Sequence, residues 1–284
     1  RVAVIAPASA PRDLREFERG LEALRRMDYA VEVHFDAQAR RGYLAAPDAE
    51  RLRVLNDCLR RPDLRAILCV RGGYGTMRLL PHVDYAAARR RPKLLVGYSD
   101  VTALQGALYA KAGWASLSGP VLTEWHRLDA RGAACFRALV EGGTPDLLAA
   151  AGNHALRPLR PGTAEGPLVG GNLSVLTRLL GTPYWPPVDG AILFLEDVGE
   201  APYRVDRMLA HLALAGVLDR LAGVLLGGFS PADAGGPTLS LEEVFADYFG
   251  DRPYPVVAGL PYGHFIPRAF LPVGTRVRLA ATDA

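Results

Sequence analysis

Residues 93 to 110 constrain the fold more than any other stretch. An apolar run, Lys93-Leu94-Leu95-Val96, passes through Gly97-Tyr98-Ser99-Asp100 directly into Val101-Thr102-Ala103-Leu104-Gln105-Gly106-Ala107-Leu108-Tyr109-Ala110. A short continuous apolar run without polar alternation reads as a strand buried on both faces, the kind found in a parallel sheet covered by helices. The segment after it reads as a helix with Val101, Leu104 and Leu108 on one face. Ser99 therefore stands at an abrupt strand-to-helix turn, where a hydroxyl can be exposed at the top of a sheet beside the first free N–H groups of a helix. The same position suits a plain N-cap, because serine caps helices well and Asp100 complements the positive helix end. The second glycine of a G-x-S-x-G elbow is missing, with Val101 in its place. From this stretch alone, nucleophile and cap both stand.

The rest of the first half repeats the strand-then-helix alternation. Val2 to Ala6 reads as a strand, Leu14 to Met27 as a helix with Phe17, Leu21 and Leu24 inward, Tyr29 to Phe35 as a strand and Asp48 to Arg60 as a helix. The buried strand Ala66 to Val70 follows, then the loop Arg71-Gly72-Gly73-Tyr74-Gly75 and a short helix through Leu80. This pattern predicts an α/β fold with a doubly wound parallel sheet, in which functional groups gather at the carboxyl ends of strands. Between Glu141 and Pro167 the pattern loosens, so the organisation expected is a domain over 1–145, a linker over 146–167 and a second α/β domain over 168–284. In that second unit we expect a helix over Asn172 to Leu180, a strand Ala191 to Leu195 ending in Glu196-Asp197 and a helix from Pro202 to Leu214. Strands are expected over Leu221 to Leu226, Val256 to Leu260 and Thr275 to Leu279.

Composition removes several function classes. Half of the 284 residues are hydrophobic, ample for a large core, yet no apolar run approaches the roughly 20 residues a membrane span needs. The net charge of +3 is dispersed, without a basic block or interleaved aromatics, which argues against a nucleic-acid partner. Cys58, Cys69 and Cys135 form no C-x-x-C pair, so buried free thiols and a reducing compartment are expected. The chain opens at Arg1 in an apparent strand, without methionine, which leaves room for an earlier segment. No H-E-x-x-H or Cys/His pair at ligand spacing appears, so neither a metal nor another cofactor is expected.

A serine nucleophile needs a base, and the base an orienting acid. Of six histidines, His34, His82, His126, His154 and His211 fit surface or packing roles. His264 differs, because Gly263-His264 follows directly on a strand end, where the glycine frees the backbone to reach into a site. Glu196 ends the apolar run Ile192-Leu193-Phe194-Leu195, where an ionisable group is costly unless paired; a solvated strand end is the plainer alternative. The glycines of the Arg71 loop let backbone N–H groups approach a ligand closely, as oxyanion donors or as a phosphate cradle. A dinucleotide fingerprint fails there, since Arg78 stands where the third glycine belongs.

Taken in order, these segments resemble the LD-carboxypeptidase family, the muramoyltetrapeptide carboxypeptidases among serine peptidases. The matching residues are Ile5-Ala6-Pro7, Arg71 to Gly75, Gly97 to Leu104, Gly170-Gly171-Asn172-Leu173-Ser174, Leu195 to Val198, Pro202 to Leu209, Gly263-His264 and Leu271-Pro272-Val273-Gly274. Phe265 to Phe270 matches no part of the family pattern. The resemblance implies an N-terminal domain similar to class I glutamine amidotransferases and a smaller C-terminal α/β domain, with the site between them. It places the family's serine, glutamate and histidine on Ser99, Glu196 and His264, and implies cytoplasmic release of the terminal D-alanine from murein tetrapeptide. For the oxyanion we expect the backbone N–H groups of Asp100 and Gly73. For the substrate we expect Arg71 with Tyr74, and Arg204, whose neighbour Arg207 suits a structural ion pair better. The expected partner is a small murein peptide, with a homodimer possible. Two rivals remain: a hydrolase of peptidyl or aminoacyl nucleotide conjugates similar to the microcin C immunity peptidases, and a non-catalytic nucleotide-binding α/β protein in which Ser99 only caps a helix.

Overall fold

The computed structural model describes residues 1–145, 156–233, 235–266 and 268–281. Its first half runs β1 (Val2–Ile5), α1 (Leu14–Arg25), β2 (Val31–Val33), α2 (Asp48–Arg60), β3 (Ala66–Cys69), α3 (Tyr85–Arg90), β4 (Leu94–Gly97), α4 (Val101–Ala112), β5 (Ser116–Ser118) and α5 (Ala130–Val140). The apolar runs form the strands because a parallel sheet wrapped by helices buries both strand faces; β1 and β3 are buried at every residue. Asp13 caps α1 by accepting from the Arg15 N–H, and Gly113, in the left-handed conformation, ends α4.

The second half runs β6 (Arg157–Arg160), β7 (Gly162–Asn172), α6 (Leu173–Thr177), β8 (Ile192–Val198), α7 (Pro202–Leu214), β9 (Gly223–Ser230), α8 (Leu241–Phe249), β10 (Val256–Ala258), β11 (Leu271–Val273) and β12 (Arg276–Ala281). Two six-stranded sheets result, in the orders β11-β5-β4-β3-β1-β2 and β12-β7-β8-β9-β10-β6. The first is parallel except where β11 pairs antiparallel with β5, and the second is parallel through β7-β8-β9-β10 with antiparallel strands at both edges.

Several elements differ from the sequence reading. The stretch read as a linker over 146–167 lies partly outside the described residues, and its Arg-Pro-rich remainder pairs as β6 and the start of β7. A segment from the far end of the chain, β11, completes the first sheet, so that sheet is not built from the N-terminal residues alone. The helix α4 has no exposed face along Val101–Leu108, because it packs on β4 and β5 from one side and on β7 and α6 from the other. Its apolar character on all sides is what a fully buried helix requires. Cys58, Cys69 and Cys135 are all buried, and burial pushes the Cys58 thiol up to about 11.

Candidate active site

Ser99 follows β4 with φ at +63°, one of two non-glycine residues with positive φ among those described. Such a conformation is strained for a residue with a Cβ and persists where surroundings over-determine it. Gly72 supplies part of that accommodation, since a Cβ there would come within 2.9 Å of the Ser99 Cβ and 3.1 Å of its Oγ. The missing elbow glycine is answered from the strand side. Val101 is fully buried with both γ-methyls 3.1 Å from where a Cβ on Gly97 would sit, so Gly97 makes the room.

The structure brings Ser99, His264 and Glu196 into contact. His264 Nε2 lies 3.1 Å from Ser99 Oγ, and His264 Nδ1 lies 2.7 Å from Glu196 Oε2. An ionised carboxylate only accepts, so Nδ1 carries the proton and the Nε2 lone pair faces the serine. Glu196 is fully buried. A lone buried carboxylate is costly, and here a second partner shares it: Asn172 Nδ2 donates to Glu196 Oε1 at 3.2 Å and to Asp197 Oδ1 at 2.9 Å. Asn172 Oδ1 in turn accepts from Ser174 Oγ and Val175 N, so all four hydrogen-bonding positions of this amide are used. An irregularity in the β8–β9 register between Leu195 and Asp197 interrupts strand alternation where these two acids stand. Burial raises the Asp197 carboxyl above its ordinary value, opposed by hydrogen bonds from Val198, Ser174 and Asn172. Asn172 is a site residue that the sequence reading quotes but assigns no role; only its place opposite Glu196 in the β7–β8 register singles it out.

The segments carrying the expected oxyanion donors, Gly73 and Asp100, are tied together. Asp100 Oδ2 accepts from Thr76 N at 2.9 Å and Thr76 Oγ1 donates to Asp100 O at 2.6 Å, which ties the glycine loop to the elbow. The Asp100 carboxyl is raised by burial, against the hydrogen bonds from Thr76. Gly73 has φ at +106°, and a Cβ there would lie 2.2 Å from Ser9 Oγ, so glycine is required on both counts. Among the described residues neither the Gly73 nor the Asp100 N–H donates to another protein group.

A cavity of about 590 Å³ holds Ser99 and His264 together with Arg71, Gly73, Tyr98 and Glu124. Arg71 lines it and also a neighbouring cavity of about 520 Å³, where Tyr74 stands with Tyr43 in an edge-on pair at 5.5 Å. Arg204 does not join them. With Arg207 it lines a different cavity along α7, and its guanidinium contacts Tyr203 Oη at 3.1 Å and Glu200 at 3.5 Å. The sequence reading also passes over Tyr98, Glu124 and Arg268. Tyr98 Oη donates to Glu124 Oε1 at 2.9 Å, Arg268 Nη2 donates to the same oxygen at 2.9 Å, and the Arg268 guanidinium lies 4.0 Å from the Tyr98 ring centroid. Of the other histidines, His34 and His126 pair with Glu32 and Glu16, and His154 lies outside the described residues. Among the described residues no group of three or more histidines, cysteines or acids could hold a metal ion, and no helix is long and apolar enough to cross a membrane.

Residues 2–119 match the LD-carboxypeptidase N-terminal domain and residues 165–279 match the LD-carboxypeptidase C-terminal domain. The chain is 39% identical to a putative carboxypeptidase of a Synechocystis species over 98% of its own length and 91% of the relative's. It is 36% identical to a probable murein peptide carboxypeptidase of Bacillus subtilis, covering 99% and 89%. A microcin C7 self-immunity protein of Escherichia coli is 28% identical over 96% of this chain and 88% of that protein. Among solved structures, the muramoyltetrapeptide carboxypeptidase of Oxalobacter formigenes superposes with a TM-score of 0.83 at 33% identity, covering 99% of this chain and 95% of the other.

Proposed function

The chain belongs to the LD-carboxypeptidase family and is a peptidase, and on that premise we propose that it releases the terminal D-alanine of murein tetrapeptide by serine catalysis through Ser99, His264 and Glu196. The observation that carries this reading is the continuous path from Ser99 Oγ through the His264 ring to the buried Glu196, at 3.1 and 2.7 Å.

The neutral imidazole takes the Ser99 proton at Nε2 as Oγ attacks the carbonyl carbon of the scissile bond. Glu196 holds the Nδ1–H tautomer and stabilises the imidazolium that forms, while Asn172 keeps the carboxylate aimed. The negative charge on the tetrahedral oxygen falls to the N–H groups of Gly73 and Asp100. His264 then returns its proton to the leaving amine, D-alanine departs, and water repeats the sequence on the acyl-serine. Arg71 meets the free terminal carboxylate of the leaving residue through its planar fork. This reading leaves the metal and cofactor roles empty and assigns the enzyme to the cytoplasm, where murein fragments are recycled.

A second reading rests on the similarity to the microcin C7 self-immunity protein: hydrolysis of a peptidyl or aminoacyl nucleotide conjugate by the same three residues. Parallel assays of D-alanine release from murein tetrapeptide and of hydrolysis of such a conjugate separate the two. The mechanism itself is tested by mutation. Ser99→Ala, Glu196→Ala and His264→Ala should each lower kcat by roughly a thousandfold or more, and a Ser99→Ala/His264→Ala pair should be little worse than either alone, because the groups act as a unit. Near-normal turnover by Ser99→Ala would refute serine catalysis.

A further inference from the structure

The first sheet reverses its winding between β1 and β3, and a crevice outside the carboxyl ends of the strands at such a switch point is where open α/β sheets take ligands. Three arginines meet there, each from the segment following one of the strands: Arg12 after β1, Arg40 after β2 and Arg71 after β3. All three line the cavity of about 520 Å³ that adjoins the serine cleft, and Arg12, Arg71 and Gly73 belong to both. None has a carboxylate partner among the described residues. Asp13, the acid next to Arg12, is occupied in capping α1 and paired to Arg15. The Arg71 guanidinium is held below its ordinary proton affinity, first by burial and then by repulsion from Arg12 and Arg40.

Arg40 and Arg71 are also held in place. Arg40 donates from Nη1 to Ala37 O and Ala39 O at 2.7 Å and from Nη2 to Pro11 O at 2.6 Å, which anchors it to the segment carrying Arg12 and leaves two of its five N–H groups free. Arg71 makes one longer contact, Nη1 to Ala10 O at 3.3 Å, and its guanidinium carbon lies 3.7 Å from where a Cβ on Gly73 would sit. Its head is thus beside the donor assigned to the oxyanion, on the leaving-residue side of the reaction. One terminal carboxylate satisfies one guanidinium. The cavity beyond Arg71 is far larger than an alanine methyl group, whose volume is on the order of 30 Å³, close to that of a water molecule in the liquid, and it offers two further cations.

We propose that this cavity is a leaving-residue subsite for a second anionic group, so that the enzyme also releases C-terminal residues bearing a side-chain carboxylate, held by Arg40 and Arg12 while Arg71 holds the terminal carboxylate. The inference rests on the peptidase reading above. Its test compares tetrapeptide analogues ending in D-aspartate and in the neutral isostere D-asparagine, with wild-type enzyme and Arg40→Gln. The wild type should cleave the D-aspartate peptide at least as well as the D-asparagine peptide, and Arg40→Gln should lower the ratio of their kcat/KM values about tenfold, the worth of one partly solvated charge-assisted bond. A wild-type ratio tenfold in favour of D-asparagine, or a ratio unmoved by Arg40→Gln, would overturn it. Calorimetric titration with free D-aspartate and free D-asparagine separates the two levels of the argument. Binding of D-aspartate that weakens in Arg40→Gln supports the subsite even if no peptide is cleaved, and equal binding of the two amino acids rejects it even if both peptides are.

Discussion

At the scale of single residues the site depends on what glycine leaves out. Gly72 has an ordinary backbone conformation, so alanine there is barred only by the space Ser99 occupies. Gly72→Ala should therefore leave the fold intact by thermal unfolding while lowering kcat by roughly 10- to 100-fold, as expected when a nucleophile is displaced by a fraction of an ångström to an ångström. An unchanged kcat would show that the elbow tolerates displacement. The charge beside it is equally specific. If Arg71 binds the terminal carboxylate, Arg71→Gln should cost roughly 2 to 4 kcal/mol in kcat/KM on the free acid, amidating the substrate should cost the wild type a comparable amount, and the two losses should overlap instead of adding. Equal turnover of amidated and free-acid peptide by the wild type would remove Arg71 from that role.

At the scale of elements, His264, the base we propose, sits on the segment between β10 and β11, and one side chain of that segment fastens it to the other half of the molecule. Arg268 is buried, donates from Nε to Phe265 O at 2.9 Å and from Nη2 to Glu124, and stacks on Tyr98, whose ring lies 5.0 Å from that of His264. It thus links the residue after His264 to the residue before Ser99. Arg268→Met keeps the volume but leaves Glu124 without its cation, and should cost about 3 kcal/mol of stability. It should also reduce kcat more than it raises KM, because the His264–Ser99 geometry loosens while the arginines around the substrate stay. Urea unfolding and steady-state kinetics check both, and a stable variant with normal kcat would show that the clamp does not position the base. Arg268 falls in the stretch that family resemblance left unmatched, so no motif pointed to it.

At the scale of the whole molecule, α4 is the junction. Thr102 on its first turn accepts the Asn172 N–H from β7 at 3.1 Å, and a Cβ on Gly171 would strike Thr102 within 2.4 Å, so the two sheets approach through the helix that follows Ser99. Tyr262 Oη meets Ser118 Oγ at 2.5 Å and its ring packs edge-on against Phe194, a second tie between the halves. The far edge of the first sheet is held differently. Glu32 on β2 pairs with Arg1 and Arg61, and these hydrogen bonds lower its carboxyl to about 2. A lowered folded-state value means the pairing stabilises the fold above the unfolded value of 4.5 and is lost as pH falls through about 2. Stability should accordingly decline across that window, and Glu32→Gln should flatten the decline measured by unfolding at stepped pH. An unchanged slope would assign acid sensitivity to other carboxylates.

How much of this was legible beforehand follows the range of the interactions involved. The sequence by itself determined the alternation of buried strands and helices and the turn at Ser99, because periodicity, capping and apolar run length are properties of a few consecutive residues, but it set Glu196 and His264 at strand ends, whereas β8 runs on through Glu196 to Val198 and His264 lies in the loop well past the end of β10. It left β5 and β11 unseen, since serines flank Leu117 in one and a proline divides the other, and it misjudged α4, whose burial on every side depends on a second sheet that meets Thr102 through Asn172, 70 residues further on. Tertiary structure alone decided that Asn172 meets Glu196, that Arg204 faces another cavity, that Arg12, Arg40 and Arg71 share one crevice, and that Arg268 joins the segment after His264 to Glu124 and Tyr98. Each of those facts joins residues far apart in the chain, and their meeting is set by strand order and packing, which no local pattern encodes.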